Sequence, residues 1–367
     1  MKKLFFLFVA ICGMLANAET IKIGVVLPIS GAVGGFGELG KRGIDLAYAT
    51  QNKTKNGDSI ELIFVDNKSD KIESANAMQK LVSSDVSVVI GPMISTNALA
   101  MVKIADDNRL PLIAPVATND RVTQGKKFVS RISFADSFQG VIAANLAFRE
   151  LGAKKAAILL DNSSDYSIGL AKSFKSQFKK LGGEIVIETN AQAGTKDFKA
   201  QISNIKAKNP DVLYLPIYYN EGALIALQAK QLGLKVPTIG GDGLASNKIF
   251  FEVAKEAGEG YMVTDYYSTS SVQTPKGTSF IKAYEERYNE PVSSFAVMFA
   301  DAYGIVLEAI EKCGGKDRIC INNAIQFMTD YEGVSGKFSL QNGEAIRSAV
   351  INEIKDGQLV YKTTIEP

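Results

Sequence analysis

Beyond residue 18 the chain alternates short apolar runs with amphipathic stretches. The runs are IKIGVVL, IELIFVD, VSVVIGP, LPLIAP, KKAAILLD, EIVIET, DVLYLPIY, VPTIGGD and GYMVTDY. Many are continuous Val, Ile and Leu rather than alternating, the pattern of parallel strands covered on both faces. Between them the spacing predicts helices, for example over 72–83, where Ile72, Ala75, Met78 and Leu81 recur at helical intervals. Repeated strand–helix alternation predicts doubly wound α/β layers with right-handed crossovers. The strands are too many for one comfortable sheet, and 367 residues suffice for two cores, so two α/β lobes are expected.

No Pro/Gly/Ser-rich linker divides the chain, so the boundaries must be short. The candidates are RISFADSFQG at 131–140 and DYYSTSSVQTP at 265–275. From 277 to 330 the pattern is almost purely helical, with FIKAYEERY and FAVMFADAYGIVLEAI as its clearest pieces. The closing stretch KFSLQNGEAIRSAVINEIKDGQLVYK predicts hairpins that turn at Asn342-Gly343 and Asp356-Gly357.

The first strand exit carries GAVGGFGELG, in which Gly35, Gly37 and Gly40 match G-x-G-x-x-G, and the next run ends in Asp66, where a dinucleotide fold keeps its ribose-binding acid. A pyrophosphate loop places its first glycine at the strand end, whereas here Pro28 to Gly34 intervene. The stretch therefore reads as a long, mobile loop, either a plain surface loop or an aromatic lid carrying Phe36. An NAD-dependent oxidoreductase is disfavoured.

Composition narrows the field further. Lys2 and Lys3, the apolar run LFFLFVAICGML and Ala16-Asn17-Ala18 match a secretory signal peptide over residues 1–18, cleaved after Ala18. Cys12 follows the bulky Ile11, which argues against a lipoprotein site. Without the two lysines the chain is close to neutral, with no basic excess for nucleic acid. The absence of histidine excludes Ser-His-Asp and Cys-His catalysis and the common His-based metal sites. No cofactor and no metal are expected. Cys313 and Cys320, flanking a Gly-rich loop in an exported chain, read as a disulfide, with free thiols as the other reading.

In open parallel sheets ligands bind beyond the carboxyl ends of strands. Ser95 and Thr96 follow VVIGP, and Thr118 follows LPLIAP. Each hydroxyl alone would suit a helix cap. Together, at the positive ends of helices, they suit a carboxylate. Tyr166 opens the helix after AAILLD, Tyr218 and Tyr219 end DVLYLPIYY, and Asp242 ends VPTIGGD. Singly these are amphipathic edge residues and an Asp-Gly turn. Jointly they describe a receptor for a small zwitterion with an apolar tail.

Through IKIGVVLPISG, VIGPMISTNALA, LPLIAPVATNDRVT, LGAKKAAILLDNSSDYSIGLA, NPDVLYLPIYYNEG and IGGDGLAS, in that order, the chain resembles the leucine/isoleucine/valine-binding proteins, the type I periplasmic substrate-binding proteins of ABC importers. The resemblance implies two Rossmann-like lobes joined by a three-segment hinge with the ligand cleft between them. Lobe one would comprise 19–135 and 268–338, and lobe two 136–267 and 339–367. It further implies that Ser95 and Thr118 hold an α-carboxylate, that the Val116 carbonyl and Asp242 meet the ammonium, and that Phe36, Tyr166, Tyr218 or Tyr219, and Phe295 form an aromatic wall. The implied protein is a non-enzymatic periplasmic monomer that captures a small amino acid, leucine, isoleucine or valine, and passes it to an inner-membrane ABC permease. A sensor of the same fold for another small amide, amino acid or aromatic acid is the alternative. Members of the family often carry Glu where Asp242 stands, and their N-lobe disulfide is absent here.

Overall fold

The computed structural model describes residues 19–271 and 274–367. The signal peptide expected over 1–18, with Lys2, Lys3, Cys12 and the Ala18 cleavage point, lies outside the described residues. No helix among the described residues is long and apolar enough to cross a membrane.

The first part of the chain builds β1 (Thr20–Leu27), α1 (Gly34–Thr50), β2 (Ser59–Asp66), α2 (Lys71–Val82), β3 (Val88–Ile90), α3 (Ser95–Asp107), β4 (Leu112–Ala114) and β5 (Val129–Arg131). The second builds α4 (Asp136–Asn145), β6 (Lys155–Asp161), α5 (Asp165–Lys180), β7 (Glu184–Ala191), α6 (Lys199–Ala207), β8 (Val212–Leu215), α7 (Tyr219–Gln231), β9 (Thr238–Gly240), α8 (Lys248–Ala254) and β10 (Met262–Asp265). There follow α9 (Pro275–Tyr288), α10 (Ser294–Cys313), α11 (Arg318–Gln326), β11 (Tyr331–Glu332), β12 (Lys337–Gln341), β13 (Glu344–Ile346), β14 (Ala349–Lys355) and β15 (Gln358–Ile365).

Among the described residues one sheet has the order β11-β12-β13-β5-β4-β3-β1-β2 and the other β15-β14-β10-β9-β8-β6-β7. The two-lobed α/β architecture is therefore present, with parallel central strands such as β1, β3, β4 and β6, β8, β9. The chain passes between the sheets after β5, after β10 and between β13 and β14. The last passage falls at Arg347-Ser348, not after residue 338: β12 pairs with β13, and β13 with β5, so 339–346 stay with the first sheet. Both predicted hairpin turns form, with positive φ at Asn342 and Gly343 and at Asp356 and Gly357.

Two local expectations are corrected. Met78 and Leu81 are buried as expected, but Ile72 is 71 % exposed and Ala75 only half-buried, and Ser74 and Ala77 complete the inward face of α2. The inward face is set by packing against β1, β2 and α3, and it is rotated away from Ile72. The stretch GGFGELG is no mobile loop but the first turns of α1. Its glycines serve packing: a Cβ on Gly37 would strike the Pro28 carbonyl, and one on Gly43 the Ala296 carbonyl of α10. The α1 and α10 backbones meet closely because position 43 has no side chain. Helix α10, buried over almost its whole length, anchors the core of the first lobe.

Candidate functional site

Within each sheet the parallel strands point their carboxyl ends the same way, and the loops after β3 and β4 meet those after β6 and β10 through Thr96 and Asn119 with Asp165 and through Val116 with Tyr266. Asp242, just beyond β9, lies where they meet and is 3 % exposed. Its Oδ1 accepts hydrogen bonds from Gln139 Nε2 at 2.8 Å and from the Tyr166 hydroxyl at 3.1 Å. Its Oδ2 accepts from the Tyr266 hydroxyl at 2.7 Å. The same Tyr266 hydroxyl lies 3.3 Å from the Val116 carbonyl oxygen in the first lobe. A carboxylate oxygen and a backbone carbonyl, one from each lobe, are thus within reach of a single donor.

On the first-lobe side, Ser95 is the first residue of α3 and does not cap it; its Oγ accepts from the Asn119 backbone N–H at 3.2 Å. Thr118 is wholly buried, and its hydroxyl faces the buried Asp136 carboxyl. Its carbonyl turns away from the cleft to Arg131 Nη1, 2.8 Å distant. Thr96 does something else: its hydroxyl accepts from the Asp165 backbone N–H at 3.0 Å and so joins the lobes at the rim. Asn119 Nδ2, donating to the Asp165 carbonyl at 2.8 Å, and an Arg121–Asp165 ion pair at 3.2 Å fasten the same point.

Aromatic rings complete the enclosure. Tyr166 and Tyr218 stack with centroids 4.9 Å apart. Phe36, fully buried on α1, packs against Tyr218 at 5.6 Å, Tyr219 at 4.6 Å and Phe295 at 4.7 Å. It lies on a helix, not on a loop, and packs between rings of both lobes.

Burial sets the electrostatics. The Asp242 carboxyl is pushed up to about 6 by loss of hydration, against the pull of its three hydrogen bonds. Burial likewise drives Asp136 well above the usual carboxylate range, against the pull of the Thr118 hydroxyl. Asp265 is pushed up to about 8 by the same cause. No ion pair among the described residues includes Asp136, Asp242 or Asp265. Of the three only Asp242 is ionised at neutral pH, so it is the carboxyl that a small cationic group would pair with.

The model of the periplasmic binding protein family matches residues 20–358. The chain belongs to that family. It is 37 % identical to a leucine-binding protein from Thermotoga maritima, with a TM-score of 0.92 over 95 % of this chain and 99 % of that one. A branched-chain amino acid transporter substrate-binding protein from Streptococcus pneumoniae, solved with isoleucine, is 34 % identical, with a TM-score of 0.88 over 95 % and 100 %. The leucine-, isoleucine-, valine-, threonine- and alanine-binding protein of Pseudomonas aeruginosa is 28 % identical over 85 % of this chain and 83 % of its own length.

Within this periplasmic binding fold, sequence reasoning missed two of the three donors to Asp242. Tyr266 had a signal, since it follows the strand run ending in Asp265 just as Asp242 follows its own strand. Gln139 had none: it lies inside α4, one helical turn past the first passage between lobes. The buried Arg131 was also unforeseen. Its guanidinium binds the Thr118 and Asn119 carbonyls at 2.8 and 2.9 Å and pairs with Glu344 of β13, bracing the loop that carries Thr118. Cys313 and Cys320 are joined in the expected disulfide, between the end of α10 and α11.

Proposed function

We propose that this protein is exported, with cleavage after Ala18, and captures a branched-chain aliphatic amino acid in the periplasm by closing its two lobes, before delivering it to an ABC permease of the inner membrane. The observation that carries this reading is the single-donor geometry of Val116 and Asp242. An ammonium entering alongside the Tyr266 hydroxyl, within reach of the Val116 carbonyl and an Asp242 oxygen, would use the acceptor capacity that each of them has left. The Ser95 and Thr118 hydroxyls would take the α-carboxylate. The side chain would lie against Phe36, Tyr166, Tyr218, Tyr219 and Phe295, whose rings offer an apolar wall and no charge. The names of the relatives from Thermotoga, Streptococcus and Pseudomonas support leucine, isoleucine or valine as the ligand.

Mechanistically, first-lobe groups alone would offer a carboxylate site, and Asp242 with the tyrosines would join only on closure. A zwitterion therefore binds the closed form better and shifts the equilibrium toward it. The test is a thermal-shift screen over the standard amino acids. Leucine at one hundred times its dissociation constant is expected to add about 2.7 kcal/mol of stability. No response to any aliphatic amino acid would overturn the ligand assignment.

A further inference from the structure

Arg347 stands in the two-residue passage between β13 and β14, at 6 % exposure. Its guanidinium takes part in no ion pair among the described residues, and its Nε has no partner. Instead Nη1 donates to the Ile132 carbonyl at 3.0 Å and lies 3.1 Å from Met298 Sδ, while Nη2 donates to the Tyr266 carbonyl at 3.1 Å. The guanidinium also stands 4.8 Å from the centre of the Phe338 ring. Ile132 is the first residue after β5 and Tyr266 the first after β10. One side chain from the third passage thus holds a carbonyl of each of the other two.

A buried guanidinium in no direct ion pair is expensive even with the buried Asp301 and Asp265 attracting it from further off, and an apolar side chain would fill the volume with less penalty. Hydrogen bonds from a charged donor to carbonyls are correspondingly strong. The carbonyls it holds belong to residues whose dihedral angles must change when two lobes swing about three passages. The cleft is closed in this structure: besides the Asp165 rim, Asn220 Nδ2 reaches the Ala32 carbonyl at 2.8 Å and Lys248 pairs with Glu290 at 2.7 Å. Tyr266 links the two regions, with its carbonyl on Arg347 and its hydroxyl on Asp242 and Val116.

We propose that Arg347 is a positioning residue for ligand capture, tying the three passages together in the arrangement of the closed cleft and holding Tyr266 in place behind Asp242. The inference rests on reading that cleft as the amino-acid site. Leucine titrations by calorimetry and small-angle scattering, on wild type and on Arg347→Met and Arg347→Lys, test it. Arg347→Met is expected to weaken leucine binding about tenfold and to enlarge the unliganded radius of gyration, with Arg347→Lys in between because one ammonium reaches one carbonyl. A purely structural role would lower the melting temperature while leaving affinity within about twofold and the scattering unchanged, and that result overturns the proposal.

Should wild type ignore leucine, the ligand reading falls, and Arg347 is still judged by unliganded scattering: a larger variant supports it and superimposable curves reject it. If neither variant folds, side-chain exchange in the wild type decides. Arg347 Nη hydrogens protected from exchange without leucine as well as with it support the staple, and free exchange in the unliganded protein rejects it.

Discussion

Asp242 is gripped by three uncharged donors and meets no cation in the protein, which makes it the residue most sensitive to what enters the cleft. Removing its charge while keeping its shape, as in Asp242→Asn, is expected to weaken leucine binding at least about tenfold, since a buried charge-assisted hydrogen bond contributes about 1.5 to 3 kcal/mol. Full affinity in the calorimeter would take Asp242 out of the site. Its pKa adds an independent signature. An ammonium needs the ionised carboxyl, and with the group held up to about 6, each unit of pH below that should weaken binding about tenfold.

Stability of the unliganded protein should move the opposite way. Carboxyls raised on folding bind protons more tightly in the native state, so their contribution falls as pH rises from about 4 through about 6 for Asp242 and about 8 for Asp265. Unliganded protein should melt higher at pH 5 than at pH 8, while leucine binds more tightly at pH 8. A dissociation constant that stays flat between pH 5 and pH 8 would show that Asp242 does not meet the ammonium.

At the scale of elements, the glycine-rich start of α1 shows how a motif by letter differs from a motif by geometry. The glycines let α1 lie against the β1 exit and the α10 backbone, which brings Phe36 between the lobes. Gly43→Val is therefore expected to destabilise the fold by about 1–3 kcal/mol through overpacking, and chemical denaturation would read this directly. An unchanged midpoint would mean that α1 can move off α10 freely. The neighbouring capping of α2 by Asp70, which accepts from the Ile72 and Glu73 N–H groups, is by contrast an ordinary local signal that the sequence carries openly.

For the whole molecule, Cys313 and Cys320 lie at the far end of α10 from Phe295, roughly 27 Å away by helix rise. The disulfide closes a loop with a sequence separation of seven, so the chain-entropy contribution is about 2 kcal/mol. The Cys313→Ser, Cys320→Ser double variant should lose about that much stability and keep its leucine affinity, as judged by denaturation and calorimetry side by side. An affinity loss would mean that α10 transmits strain from its far end to the aromatic wall.

How much was legible depended on whether the signal was local in the chain. Continuous apolar runs fold as parallel strands wherever they lie, and Asn-Gly and Asp-Gly adopt the left-handed turn on backbone grounds alone, so the layers, the hairpins and the strand-exit placement of Ser95, Thr118, Tyr166 and Asp242 could be read directly. Gln139, Arg131 and Arg347 could not, because each acts on a partner distant in sequence: Asp242, Glu344, and the carbonyls of Ile132 and Tyr266. The same limit explains Phe36 and residues 339–346. A helix face or a strand edge finds its place only when the rest of the chain supplies the surface it packs on or the strand it pairs with. Sequence alone determined the α/β alternation and the chemistry presented at strand ends; the tertiary structure decided which of those groups meet, and how far burial from water shifts their charge.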